Sequence, residues 1–88
     1  MRVKVKKRFI SDLAKIMDIE MIEVIEFILD SANESGSPED IPGFKYLRSY
    51  PCKGRIEVTP FRIGVEITGN TIFFYCILHR SIIYEQFP

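Results

Sequence analysis

The first half of the chain has the hydrophobic spacing of two helices behind a short strand. Apolar and charged residues alternate over residues 2–6, the period-2 pattern of a half-buried strand. Apolar residues then recur at helical spacing over residues 9–17, which predicts a first helix. The same spacing returns over residues 21–32, after Asp18, a residue type that often caps helix N-termini. A Gly- and Pro-containing segment at 33–42 is predicted to be a loop.

The second half of the chain changes to the period of strands. Gly69-Asn70 supplies the residues that a tight hairpin turn requires. Thr59-Pro60 interrupts the alternating pattern between residues 58 and 61. The residues after position 78 begin polar and are predicted to form a tail or short helix. The predicted strands are 46–50, 52–58, 61–68 and 71–78.

These elements predict an α+β fold, in outline β-α-α-β-β-β, with a short C-terminal helix or tail. We expect an antiparallel sheet with both N-terminal helices packed on one face and a more polar opposite face. If the chain turns at residues 58–61, the charged positions of two strands face one another. The predicted pairs are Glu57 with Arg62, Arg55 with Gly64, and Lys53 with Glu66.

Length and composition predict one folded domain over residues 1–88. The chain is 47% hydrophobic and 27% charged, as in ordinary globular proteins. It shows neither a signal-peptide pattern nor a long apolar stretch, so we predict a cytoplasmic protein with no membrane partner. Two cysteines and one histidine do not make a metal-ligand pattern, which predicts reduced thiols and no metal.

The net charge of zero hides a strong separation of charge along the chain. Residues 1–17 carry +5, residues 18–43 carry −8, and residues 44–88 carry +3. The net charge of zero argues against a protein that binds nucleic acid through its overall charge, since such proteins attract phosphates with a basic surface. If the acidic second helix faces away from RNA, the strand surface is still locally positive.

The ordered set of motifs resembles the RelE/ParE superfamily of toxins from type II toxin-antitoxin systems. The resemblance covers nearly the whole chain, through VKVKKRFISDLAKI, IPGFKYL and RIEVTPFRIGVEITGNTIFFYCILHRSIIYEQFP. It implies a RelE-like fold, a cognate antitoxin as partner and no small-molecule cofactor. It also implies a ribosome-dependent mRNA endoribonuclease, so that mRNA on the ribosome is the expected substrate.

Positions matching the family's functional residues lie in the second half of the chain. By resemblance these are Arg55, Arg62, His79, Arg80 and Tyr84. Glu57 and Cys76 depart from the family, which often has a basic residue at each of these positions.

RNA cleavage by the adjacent 2′-hydroxyl needs a base, a cation for the phosphoryl oxygens and a proton donor for the 5′ oxygen. We hypothesise that Arg62 and Arg80 clamp the phosphate, because the arginine fork meets two phosphate oxygens. Arg55 and Lys53 would hold the RNA backbone. Glu57 would act as base, and His79 or Tyr84 as acid.

Structural explanations compete with these roles. Glu57 and Arg62 can form a simple cross-strand ion pair. A histidine at a strand end is often a surface or capping residue. Phe73, Phe74 and Tyr75 are predicted to be core residues rather than a surface on which bases stack.

Two other functions fit the same resemblance, since one fold hosts several activities. One is a non-enzymatic gyrase poison of the ParE type. The other is a degenerate family member that only binds its antitoxin. Expression of the chain alone separates these alternatives: mRNA cuts indicate the nuclease, DNA damage with intact mRNA indicates the gyrase poison, and normal growth indicates the degenerate member.

Overall fold

A five-stranded sheet forms the centre of the computed structural model, which describes residues 1–88. The elements in chain order are β1 (Arg2–Val5), α1 (Lys7–Ala14), α2 (Ile19–Glu34), a 3₁₀ helix (Pro38–Asp40), β2 (Phe44–Leu47), β3 (Tyr50–Val58), β4 (Phe61–Thr68), β5 (Thr71–His79) and α3 (Ile83–Gln86). The α+β prediction is confirmed, with two helices near the N-terminus and a short helix at the C-terminus. The sheet has five strands, one more than the outline β-α-α-β-β-β contains.

The strand order in the sheet is β1-β5-β4-β3-β2. Strands β2 to β5 form an antiparallel meander, as predicted. Strand β1 differs, because it pairs with β5 in parallel and makes the sheet mixed. Nearly the whole chain lies between β1 and β5, so no tight turn dictates their relative direction.

Both helices pack on one face of the sheet, as predicted. Asp18 caps α2 through its Oδ1, which accepts hydrogen bonds from the amides of Glu20 at 3.0 Å and Met21 at 3.4 Å. Helix α1 ends at Ala14 rather than continuing to residue 17. No helix has the length and apolar composition needed to cross a bilayer. The main core contains Phe9, Ile25, Ile28, Ala32, Ile41, Ile56, Val58, Ile63, Val65, Ile72, Phe74 and Ile77.

The register between β3 and β4 is the predicted one. Glu57 pairs with Arg62, Arg55 with Gly64, and Lys53 with Glu66. Strand β3 begins at Tyr50, earlier than predicted, and includes Pro51. Proline is tolerated there because position 51 pairs with neither β2 nor β4, so no ladder bond needs its missing N–H.

A β-bulge at Tyr75 changes which face of the sheet the end of β5 presents. Val65 pairs with Phe74 and Gly64 with Cys76, which leaves Tyr75 as an extra residue. Since side chains alternate along a strand, one extra residue reverses the facing of everything after it. Three consecutive residues are therefore buried on alternating faces: Cys76 and Leu78 on one side, Ile77 on the other.

The C-terminal segment folds over the sheet face opposite the two helices. Ile83 and Phe87 form a second, smaller core there with Cys76 and Leu78. Gly64 makes this close approach possible, because a Cβ at that position would lie 2.8 Å from the Phe87 ring. Of the predicted core aromatics, Phe74 is buried, whereas Phe73 and Tyr75 are half-buried on the face that the C-terminal segment covers.

The contact between Gly64 and Phe87 predicts a non-additive pair of substitutions. Gly64→Ala should lower the free energy of unfolding by about 1–3 kcal/mol, because the added methyl group overpacks the ring. In a Phe87→Ala background the penalty should shrink, since the clash with the ring is gone and only the Cys76 Sγ, 2.9 Å from the added Cβ, still opposes the methyl group. Urea denaturation of the four proteins measures this coupling. An equal Gly64→Ala penalty in both backgrounds would contradict the packing described here.

Candidate active site

The sheet face opposite α1 and α2, here called the outer face, collects charged side chains from two adjacent strands. Lys53, Arg55 and Glu57 project from β3, and Arg62 and Glu66 from β4. The alternation that buries Ile56, Val58, Ile63 and Val65 on the helix side directs these residues outward.

Arg62 is a largely enclosed cation of the outer face, with 18% of its side chain exposed. Its Nη1 donates a hydrogen bond to the Tyr84 hydroxyl at 2.9 Å. The Glu57 Oε1 lies 3.9 Å from Nη2, within ion-pair range but beyond hydrogen-bond length. The Nε group is buried without any acceptor. This guanidinium is therefore charged, held in place and short of acceptors.

Two guanidinium groups lie close to the Tyr84 ring. The Cζ atoms of Arg55 and Arg62 each lie 5.6 Å from the centre of its ring, a distance suited to cation–π attraction. Helix α3 positions the ring, because its neighbours Ile83 and Phe87 are anchored in the smaller core. We call Arg55, Arg62 and Tyr84 the arginine–tyrosine cluster.

A second group of contacts holds Lys53 beside this cluster. Its Nζ lies 4.0 Å from the Glu66 Oε2 and 5.8 Å from the centres of the Tyr50 and Phe87 rings. Glu66 also accepts a hydrogen bond from the Tyr75 hydroxyl at 3.2 Å. Burial, reinforced by the Glu66 carboxylate, raises the pKa of Tyr75, so the phenol stays protonated and donates. Glu66 therefore has partners within the protein.

His79 lies apart from the arginine–tyrosine cluster, contrary to the grouping predicted from the sequence. Its ring packs edge-on to Phe61, at 6.3 Å between centres, on the side of the sheet that α1 covers. The Ser81 amide donates to the His79 Nδ1 at 3.2 Å, which ties the ring at the end of β5 to the turn that follows. The bulge at Tyr75 is the physical reason for this placement, since plain alternation would direct His79 outward.

Arg80 follows His79 outside the strand. Its backbone amide donates to the Pro60 carbonyl oxygen at 3.0 Å, and its side chain is exposed without an ion pair. Among the predicted site residues, the structure thus brings together Arg55, Glu57, Arg62 and Tyr84, with Lys53 beside them. It leaves Arg80 at the margin and His79 on the other face.

Three further cations, which were not among the predicted site residues, extend this basic surface. Lys45 pairs with Arg55 across β2 and β3. Lys6 lies 5.0 Å from the Phe73 ring centre and 5.4 Å from that of Tyr75. Arg48 stands at the turn between β2 and β3 beside Tyr84. A predicted β2 that began at residue 44 would have placed Lys45 opposite Arg55. The positions of Lys6 and Arg48 depend on tertiary contacts and could not be predicted in this way.

Cys76 lies under this surface without the properties of a nucleophile. Its side chain is buried in the smaller core, and burial raises the pKa of the thiol. A thiol with a raised pKa is a poor source of thiolate. The chemistry available on the outer face is therefore that of guanidinium, ammonium, phenol and carboxylate groups.

Solved structures of toxins share this architecture. The toxin–antitoxin complex RelB–RelE of Methanococcus jannaschii matches with a TM-score of 0.81 and 32% identity, over 97% of this chain and 99% of that one. The RelBE2 complex of Mycobacterium tuberculosis has a TM-score of 0.68 at 17% identity, over 90% and 96%. YafQ of E. coli has a TM-score of 0.66 at 11% identity, over 96% and 99%. The last two likenesses concern the fold alone.

Sequence comparison agrees with the fold. No protein-family profile matches the chain. Toxin RelE3 of Methanocaldococcus jannaschii is 35% identical over 89 residues, covering all of both chains. The resemblance seen in the sequence motifs is thus confirmed over the full length, and the chain belongs to the RelE superfamily of toxins from type II toxin–antitoxin systems.

Proposed function

We propose that this toxin is a cytoplasmic endoribonuclease that cleaves mRNA on the ribosome and is held inactive by a cognate antitoxin. The observation that carries the proposal is the state of Arg62. It is enclosed and pre-positioned, yet only Nη1 among its N–H donors has a hydrogen-bond acceptor in the protein. An arginine with unused donors suits an anionic ligand such as a phosphate of RNA.

In this proposal, cleavage begins with attack of the 2′-hydroxyl on the adjacent phosphorus. The new bond joins the 2′ oxygen to phosphorus, and the bond to the 5′ oxygen breaks. Arg62 stabilises the charge that develops on the phosphoryl oxygens, while Arg55 and Lys53 hold neighbouring phosphates. Enclosure strengthens the effect of Arg62, because little water competes for its charge.

Two protons move in this reaction, and the cluster has a group for each. The Glu57 carboxylate stands beside Arg62 with 47% of its side chain exposed, so it is open to accept the 2′ proton. The Tyr84 hydroxyl accepts from Arg62 and therefore keeps its own proton free to donate to the 5′ oxygen. His79 has no part in this scheme, because its ring lies on the helix side. Arg80 adds positive charge at the margin.

An antitoxin partner is supported by the relatives, since the Methanococcus jannaschii structure is an antitoxin–toxin complex. The sheet also has two edge strands, β1 and β2, whose free backbone groups suit strand addition by a partner chain. Expression without the antitoxin is therefore the condition in which toxicity should be tested.

Arg62→Ala should abolish growth arrest and lower mRNA cleavage by at least about 100-fold, since it removes the main electrostatic contact to the phosphate. Cleavage is measured by mapping new mRNA 5′ ends after induction. Lys7→Ala is the matched control, because Lys7 is an exposed base on α1 without an ion pair. Undiminished toxicity of Arg62→Ala, in a chain that still folds, would contradict the proposal.

Glu57→Gln should lower the cleavage rate by about 10²- to 10⁴-fold, the usual contribution of a general base. The amide keeps the size of the side chain but does not accept the 2′ proton. The rate is measured with purified toxin and mRNA-programmed ribosomes at saturating substrate. Unchanged cleavage by Glu57→Gln would reduce Glu57 to an ion-pair partner of Arg62 and contradict the proposed base.

A further inference from the structure

A small depression opens beside the arginine–tyrosine cluster, at the turn between β2 and β3. Its volume is about 270 Å³, and its apolar floor includes Leu47 and Phe87. Arg48, Tyr50 and Tyr84 also line it, together with Ser49 and Pro88. The volume lies just below the range of about 300–1,000 Å³ typical of drug-sized ligands, which suits a flat group no larger than one nucleobase.

The lining of this depression has the composition of a base-stacking site. Tyr50 is 48% exposed and Tyr84 58% exposed, although both are large aromatic residues. Arg48 is exposed and has neither an ion pair nor a side-chain hydrogen bond. Exposed aromatic rings beside unpaired guanidinium groups are how proteins bind unstacked RNA bases.

Tyr84 belongs both to this depression and to the arginine–tyrosine cluster. A nucleotide whose phosphate lies against Arg62 therefore has its neighbouring base within reach of Tyr50 and Arg48. We propose that this depression is a subsite for the unpaired base flanking the cleaved phosphate, with Tyr50 as its stacking surface and Arg48 as its cation. The inference rests on the proposed endoribonuclease function and adds a specificity site to it.

The test compares four variants by the mRNA 5′ ends that they generate, normalised to toxin amount. Tyr50→Ala should lower cleavage about 5- to 150-fold, the loss expected for one base–aromatic stack, and should flatten the preference among the four bases at the flanking position. Tyr50→Phe should keep both, because the ring remains. Arg48→Ala should lower cleavage about 2- to 5-fold.

Tyr46→Ala is the matched control. Tyr46 is 44% exposed on the same hairpin, but it packs edge-on to Phe44 and pairs with Gly54, on the helix side of the sheet. The Tyr46→Ala variant should cleave mRNA with wild-type efficiency and wild-type base preference. Urea denaturation of each variant confirms that it is folded. If Tyr50→Ala unfolds, Arg48→Ala still tests the subsite, because Arg48 is an exposed residue in the turn.

The outcomes separate the subsite from the nuclease itself. If the wild-type toxin makes no mRNA cuts, the proposed function and this inference both fail. If the wild type cleaves while Tyr50→Ala and Arg48→Ala keep its rate and base preference, only the subsite fails. If these two variants lose antitoxin binding while cleaving normally, the depression is a protein-docking site and the inference is overturned.

Discussion

The packing of Phe87 on Gly64 is the contact on which the rest of the outer face depends. A side chain at position 64 would meet the ring at 2.8 Å, so the C-terminal segment reaches the sheet only because β4 has a glycine there. Ile83 and Phe87 then bury apolar surface on a face where β3 and β4 carry mostly charged side chains. Tyr84, between these two anchors, is held against Arg55 and Arg62.

The charge separation seen along the chain becomes a separation between the two sides of the protein. Residues 18–43 hold eight acids and no base: the N-cap Asp18 and seven in α2 and the segment after it. Helix α2 packs on the sheet face opposite the outer face. The outer face holds Lys45, Lys53, Arg55 and Arg62 against Glu57 and Glu66. A neutral protein of this kind would approach RNA with one face, since a local potential can orient a molecule whose net charge is zero.

The sequence was sufficient for the helices and for the pairing of β3 with β4. Alternating apolar residues and the short turn at Thr59-Pro60 allow one register that buries Ile56 and Ile63 together, and this register faces Glu57 with Arg62. Asp18 marked the start of α2 because its side chain satisfies free amides at that helix end.

Other features depend on contacts between distant parts of the chain. The bulge at Tyr75 cannot be predicted from the sequence, because the residues around it are apolar and fit either face of the sheet. This bulge turns His79 to the face opposite Arg62. The parallel pairing of β1 with β5 follows from the path through the helices. The depression formed by Arg48, Tyr50 and Tyr84 exists only after the C-terminal segment has folded back.

The most direct test of this account is to find which face of the toxin meets RNA. Amide and arginine side-chain NMR shifts can be followed while a short single-stranded RNA with 2′-O-methyl groups, which prevent cleavage, is titrated into the protein. The largest shifts should map to Lys53, Arg55, Arg62 and Tyr84. Shifts concentrated on α2 or around His79, with the arginine–tyrosine cluster unchanged, would contradict it.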